Sequence, residues 1–245
     1  TFVAQTIFMQ RGTLFLIPVP LAENAMQKSF TPFLIETINV IKTYIVENEK
    51  TARKFLKEAG IKTPQSDLLI HDYGKHKRGN SLVPYFTQLM SGIDVGLMSE
   101  AGCPGVADPG AEIVAEAHKR GIKVVPLVGP NAMIQAIMAS GLSGQSFAFH
   151  GYLPIDKVER AKRIKELEVL SVKHKQTQLF METPFRNNHL LDDVLKNCQS
   201  GTQLCIASNI NGEEEFIKTL SVGMWKSQRI DLHKKPTVFL LFKPV

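Results

Sequence analysis

The residues best suited to chemistry in this sequence are four turns rich in glycine and proline: residues 18–24 (PVPLAEN), 99–110 (SEAGCPGVADPG), 128–132 (VGPNA) and 182–186 (ETPFR). Glycine lets a ligand approach the main chain, and proline sets a turn so that backbone N–H and C=O groups are already aimed. One such turn reads as a tight connection. Four in series, each just after an apolar run, read as loops that hold a ligand through backbone polar groups. Other chemistries lose ground. There is no GxxxxGK[ST] to cradle a triphosphate and no GxGxxG between a strand and a helix. The seven histidines form no HExxH; His71 and His76 are five apart, do not share a helical face, and read as single surface side chains. Ser143 lies in GLSGQ, which lacks the second glycine of a nucleophile elbow. Cys103, Cys198 and Cys205 make an odd count with no CxxC pair, so neither a disulfide framework nor a cysteine zinc site is expected.

Those turns need a scaffold, and the chain supplies alternating strands and helices. Residues 12–20 (GTLFLIPVP) form a short apolar run closed by proline, suited to a buried strand. Residues 51–59 carry apolar groups at helical spacing and precede Gly60, a C-terminal cap. Residues 93–98 and 122–128 read as further strands. Asp108 as N-cap and Pro109 at the first position open a helix over 111–120, closed by Gly121, and residues 131–140 form a helix ending at Gly141. This βαβ rhythm predicts a mainly parallel sheet covered on both faces, with ligands beyond the carboxyl ends of its strands. The second half changes character: a charged helix over 156–170, a strand over 176–181, a helix over 187–197, then strands over 202–208, 215–222 and 236–242, the later ones antiparallel. The change sets a boundary near Gly129-Pro130, with α/β domains over 9–128 and 129–245. No internal repeat or low-complexity tract interrupts them.

Composition agrees with a soluble globular protein: 245 residues, 44% hydrophobic and 21% charged. No apolar run approaches the roughly 18 to 20 residues that span a bilayer. Residues 1–10 lack a basic n-region and a long apolar stretch, so no secretory signal is read there; Met9 offers a start, and a cytoplasmic location is expected. The net charge of +6 favours encounter with a polyanion such as RNA, although the lysines are spread along helices and form no single block.

Six stretches together resemble the tetrapyrrole methylase superfamily, the class III S-adenosylmethionine-dependent methyltransferases: residues 12–20, 53–64 (RKFLKEAGIKTP), 98–110 (MSEAGCPGVADPG), 121–132 (GIKVVPLVGPNA), 139–154 (ASGLSGQSFAFHGYLP) and 182–186. Within it, the sequence is most similar to the branch that methylates a cytidine 2′-hydroxyl of small-subunit ribosomal RNA. The resemblance implies two α/β domains with the cofactor cleft between them, S-adenosyl-L-methionine as cofactor, no metal, and a homodimer. Carried over by position, it puts Pro20 and Leu21 in a first cofactor loop and Gly102, Cys103, Pro104 and Val106 in a second, with Cys103 where the superfamily often has an acidic residue. Asn131 and Ala132 match the interdomain turn, and Met181 and Glu182 the strand end that covers the cofactor. Methyl transfer from a sulfonium is an in-line displacement that depends mainly on alignment. A hydroxyl acceptor also needs a base, and Glu47, Glu49 and His150 are the candidates; Arg186 could bind a substrate phosphate or pair with Glu182.

Three departures from the ribosomal RNA branch bear on the acceptor. Val19-Pro20-Leu21-Ala22-Glu23 stands for Thr-Pro-Ile-Gly-Asn, Glu47-Asn48-Glu49-Lys50 for Glu-Asp-Thr-Arg, and Ser208-Asn209-Ile210-Asn211-Gly212 for Arg-Glu-Leu-Thr-Lys. Besides RNA methylation, two other functions therefore stay open: methylation of a small molecule such as a tetrapyrrole, and cofactor binding without catalysis. A macrocycle would need a wide apolar trough, and Trp225 is the only tryptophan available to line one.

Overall fold

The computed structural model describes residues 10–74 and 82–244; Met9 and His76 lie outside the described residues. The chain divides into two compact units, one ending at Pro130 and the other beginning at Asn131.

The first unit contains β1 (Thr13–Leu16), α1 (Met26–Ser29), α2 (Pro32–Val40), β2 (Thr43–Val46), α3 (Glu49–Glu58), β3 (Leu69–Asp72), α4 (Val83–Met90), β4 (Val95–Met98), α5 (Ala111–Lys119) and β5 (Lys123–Pro126). Its strands form one sheet in the order β3-β2-β4-β1-β5, and every pairing is parallel. All five strands therefore end at the same edge. Tyr44 and Val46 face a core with Ile17, Leu34, Ile38 and Leu56, while Ile45 faces the opposite core with Leu14, Phe86, Leu89 and Leu97. Alternate residues of one strand feed two cores, which is why the central strands β2 (TYIV) and β4 (VGLM) are buried at every position, whereas the edge strands β3 (LIHD) and β5 (KVVP) carry polar residues.

The second unit contains α6 (Ala132–Ser140), β6 (Phe147–Tyr152), α7 (Lys157–His174), β7 (Thr177–Met181), α8 (Asn187–Asn197), β8 (Gln203–Ser208), β9 (Phe216–Ser221), α9 (Val222–Trp225) and β10 (Thr237–Phe242). Its sheet runs β6-β7-β10-β8-β9; β6 and β7 are parallel and the remaining pairs antiparallel. The last strand thus inserts at the centre, between β7 and β8. Phe180 and Phe239 stack there with centroids 5.8 Å apart, in a core shared with Ile164, Leu167, Leu190, Val194 and Trp225. Among the described residues, no helix is long and apolar enough to cross a membrane.

Local signals place most elements, with instructive exceptions. α3 starts at Glu49, ahead of the expected 51, because the Asn48 side chain accepts from the backbone N–H groups of Lys50 and Thr51 and caps it. Asp108 is not the cap of α5: the helix begins after Gly110, whose φ of 128° suits only glycine, and no side chain caps it. α7 continues to His174, past the expected 170, and stops where Lys175 turns left-handed. The expected elements omit β2, β3 and β6, and also α1, α2, α4 and α9. β2 and β3 are four residues long, and β6 (FAFHGY) is broken by a register shift between Phe149 and Tyr152.

Candidate functional site

At the carboxyl edge of the first sheet, the loops after β1, β4 and β5 are knitted together by main-chain contacts. Val19 N–H donates to Gly102 O at 2.9 Å, and Gly102 N–H donates back to Val19 O at 2.8 Å. The Cys103 thiol donates to Pro130 O at 3.3 Å. Gly129 lies against Pro18 so closely that a Cβ on it would stand 2.1 Å from Pro18 Cγ. Gly102, with φ +71°, is buried; a Cβ there would stand 3.3 Å from Leu21 Cδ2 and 3.8 Å from Pro130 O. Pro104 is also buried, Pro20, Leu21 and Cys103 are half-buried, and Val106 is 41% exposed. Within the second loop, Val106 N–H donates to Cys103 O and Gly105 N–H to Pro109 O. The six expected residues of the first two loops thus belong to one surface, which presents apolar side chains and backbone polar groups. Pro18, Gly129 and Pro130 complete it. Their sequence signal was the pair of prolines at 18 and 20 and the VGP run, each legible only as a turn.

Asn131 and Ala132 open the second unit. The Asn131 side chain accepts from Met133 and Ile134 N–H, both at 3.1 Å, so it is spent on capping α6. Ala132 is the first residue of that helix. Met181 ends β7, and Glu182 follows it with a side chain only 1% exposed. Glu182 Oε1 accepts from Thr183 N–H at 2.7 Å and from Arg186 Nη2 at 2.6 Å. This pairing holds the Arg186 guanidinium even more firmly protonated than usual. Glu182 Oε2 and Arg186 Nε are both buried and have no hydrogen-bond partner.

The three base candidates occupy different surroundings. Glu47 follows β2 at the carboxyl edge of the first sheet, half-buried, with its N–H donating to Met98 O of the neighbouring strand at 3.3 Å. Glu49 is the first residue of α3, exposed, and paired with Arg53 at 2.8 Å. His150 sits on β6 in the second unit, half-buried, with Nε2 2.6 Å from Gln178 Oε1 and Nδ1 3.1 Å from Arg163 Nη2. Arginine can only donate, so Nδ1 accepts and the proton belongs on Nε2, facing Gln178. Burial lowers the His150 pKa, with the Arg163 charge adding to it and the Gln178 hydrogen bond opposing it. Both ring nitrogens are therefore engaged in the neutral form. His71, read as a surface residue, is half-buried beside Tyr85, and burial lowers its pKa as well. Trp225 is 2% exposed and donates to Leu204 O at 2.8 Å, so it belongs to the core and lines no trough.

Two solved structures share this architecture. The methyltransferase CobJ superposes with a TM-score of 0.61 over 95% of this chain and 94% of its own, at 16% identity. Uroporphyrin-III-C-methyltransferase from Thermus thermophilus gives 0.54 over 95% of each chain, at 15% identity. A parallel first sheet and a mixed second sheet define a protein with the tetrapyrrole methylase fold. Among curated proteins, ribosomal RNA small subunit methyltransferase I from Halalkalibacterium halodurans is 34% identical over 76% of this chain and 60% of its own length. The proteins of that name from Vibrio cholerae and Bacillus subtilis are 31% and 32% identical over 86% and 84% of this chain, and over 69% and 67% of their own. No family model matches the sequence. The chain belongs to the ribosomal RNA small subunit methyltransferase I family, and it spans between 60% and 69% of the length of these three relatives.

Proposed function

We propose that this protein is an S-adenosylmethionine-dependent methyltransferase that acts on a ribose 2′-hydroxyl of ribosomal RNA. The observation that carries the reading is the knitted surface at the carboxyl edge of the parallel sheet, where ligands of such folds bind. There, Gly102 leaves open a position between Leu21 and Pro130 O that any Cβ would fill. Such a surface fits a nucleoside: Leu21 and Val106 supply apolar contact, and the turns at 18–21 and 102–106, whose Val19, Gly102, Gly105 and Val106 N–H groups are engaged within the surface, supply backbone carbonyl acceptors. Pro20, Leu21, Gly102, Cys103, Pro104 and Val106 are assigned to the cofactor on this ground, and Asn131, Ala132, Met181 and Glu182 on the family resemblance. When bound, S-adenosylmethionine supplies a methyl group already activated by a positive sulfur.

The protein's own part is alignment and removal of the hydroxyl proton. Of the three base candidates, Glu47 fits best, because it stands at the sheet edge that carries the cofactor loops. Glu49 is held by Arg53, and His150 would have to release Arg163 before taking a proton. We also assign Arg186 to substrate binding, the location to the cytoplasm and the working form to a homodimer, each from the family resemblance. The test is transfer of a radiolabelled methyl group to small-subunit ribosomal RNA, with Glu47→Gln lowering kcat by about 10² to 10⁴. Transfer to a small-molecule extract but not to RNA would overturn the acceptor, and S-adenosylhomocysteine binding without any transfer would overturn the activity.

A further inference from the structure

In the first unit, the chain leaving β3 is fastened to the strand end that carries Glu47. Tyr73, the residue after β3, is 2% exposed and donates its N–H to Val46 O of β2 at 2.6 Å. Gly74 follows, and a Cβ on it would stand 2.8 Å from Glu47 O. Its N–H donates to Asp72 Oδ1 at 2.7 Å, which fixes the turn.

The Tyr73 side chain reaches a different element. Its ring packs edge-on to Tyr85, with centroids 5.4 Å apart, in the core that also holds Ile45, Leu97 and Ile113. Its hydroxyl donates to Glu112 Oε1 at 2.6 Å, a charge-assisted bond of the short, strong kind. Glu112 lies in the first turn of α5, directly after Gly110, where the second cofactor loop ends. No side chain caps α5, whereas Asn48 caps α3 and Asn131 caps α6. The bond from Tyr73 thus anchors a helix start that has no local anchor of its own. Gly110 transmits the hold to the loop, because a Cβ on it would stand 3.1 Å from Leu97 Cδ2 and 3.5 Å from Gly105 N.

The loop's internal shape has other supports. Its bonds to Val19 and Pro130, and those from Gly105 to Pro109 O and from Val106 to Cys103 O, do not involve Tyr73. What the hydroxyl bond adds is the placement of α5 and the loop before it relative to Glu47. We propose that Tyr73 is a positioning residue for methyl transfer: through Glu112 it sets the second cofactor loop at a fixed distance from Glu47 and so aligns the donor with the base. The inference rests on the roles given to Glu47 and to that loop in the function proposed above. Alignment of this kind governs kcat, and a displacement of about 1 Å can cost up to about 10²-fold.

The test uses the whole chain, with radiolabelled methyl transfer to small-subunit ribosomal RNA, calorimetry of S-adenosylhomocysteine and amide hydrogen exchange. Tyr73→Phe keeps the ring and removes the hydroxyl; it should lower kcat by about 5- to 100-fold while the KM for S-adenosylmethionine and the S-adenosylhomocysteine affinity stay within about threefold. Glu112→Ala should do the same, and the double variant should be no slower than either single one. Glu112→Gln, which keeps an acceptor oxygen, should recover part of the rate. The Val114 amide, which donates to Gly110 O at 3.0 Å, should exchange at least about fivefold faster in Tyr73→Phe and so report on the first turn of α5 without any reaction. Tyr44→Phe is the control: its buried hydroxyl donates to Ile38 O and Ile41 O in the opposite core, so its loss should lower the unfolding midpoint and leave kcat unchanged. A Tyr73→Phe protein with kcat within about twofold of the original, or additive losses in the double variant, would overturn the positioning role. Unchanged Val114 exchange would overturn the anchor itself. Absence of transfer by the unaltered protein would overturn the proposed function and the role in transfer with it, while faster Val114 exchange in Tyr73→Phe would still uphold the anchor.

Discussion

Replacing Gly129 by alanine tests whether the three loops of the first unit form a rigid seat. The new methyl carbon would lie 2.1 Å from Pro18 Cγ and 2.4 Å from Pro18 Cβ. Carbon atoms in contact sit about 3.5 to 4.0 Å apart, so Pro18 and residue 129 must separate by roughly 1.4 Å or more. Neither partner can give way alone, because the proline ring cannot rotate aside and Pro18 is buried. The separation therefore spreads to Val19, bonded to Gly102, and to Pro130, which accepts from Cys103. Overpacking of this kind costs about 1 to 3 kcal/mol. The expected result is a loss of that size in urea unfolding followed by circular dichroism, together with at least about a tenfold loss of S-adenosylhomocysteine affinity by calorimetry, since about 1.4 kcal/mol is a factor of ten. Gly60→Ala is the control: φ there is +77° but nothing lies within 4 Å, so only the conformational cost of about 1 to 2 kcal/mol applies and binding is unaffected. A Gly129→Ala protein that keeps both its unfolding midpoint and its affinity within twofold would refute the idea that main-chain packing shapes the cofactor surface.

Other expectations follow from the same geometry. Asn131→Ala should cost about 1 kcal/mol in unfolding free energy and Asn131→Ser should recover most of it, because the side chain serves as a helix cap. Arg186→Ala should cost about 1 to 3 kcal/mol, since it removes a charged donor from a buried carboxylate; Arg186→Lys should restore only part, lacking the planar fork. Cys103→Ser should match the original within about 0.5 kcal/mol by keeping a donor toward Pro130 O, whereas Cys103→Asp should be measurably less stable because a carboxylate offers that carbonyl none. Burial depresses His150 and His71, so in acid the unfolded chain binds more protons than the folded one. Their contribution is fully present above about pH 6.5 and is lost as the pH falls below it. Unfolding midpoints measured from about pH 7.5 to 5 should fall less steeply in a His71→Gln/His150→Gln double variant; an unchanged slope would show that the carboxylates alone set it.

What the sequence by itself determined was local. α8 spans Asn187–Asn197 as read, and α6 carries the expected Asn131 start and a Gly141 stop with φ +69°. Caps, turn residues and hydrophobic period act within a few positions, so a single chain displays them. The four turns were legible for the same reason: proline and glycine announce a bend wherever they stand.

Tertiary structure decided the rest. No local signal states that β1 lies between β4 and β5, or that β10 enters the centre of the second sheet, because strand order is settled by which apolar faces find cover. The site shows the same division. Residue type made His150 and Glu49 candidate bases, yet Arg163, Gln178 and Arg53 engage them. The turn at 182–186 was visible, but not that Glu182 would be satisfied on one oxygen only, nor that Phe185 would meet His233 from a distant loop. Hydrogen-bond partners far apart in the chain are chosen by strand register and packing, and that information exists only once the fold has brought the segments together.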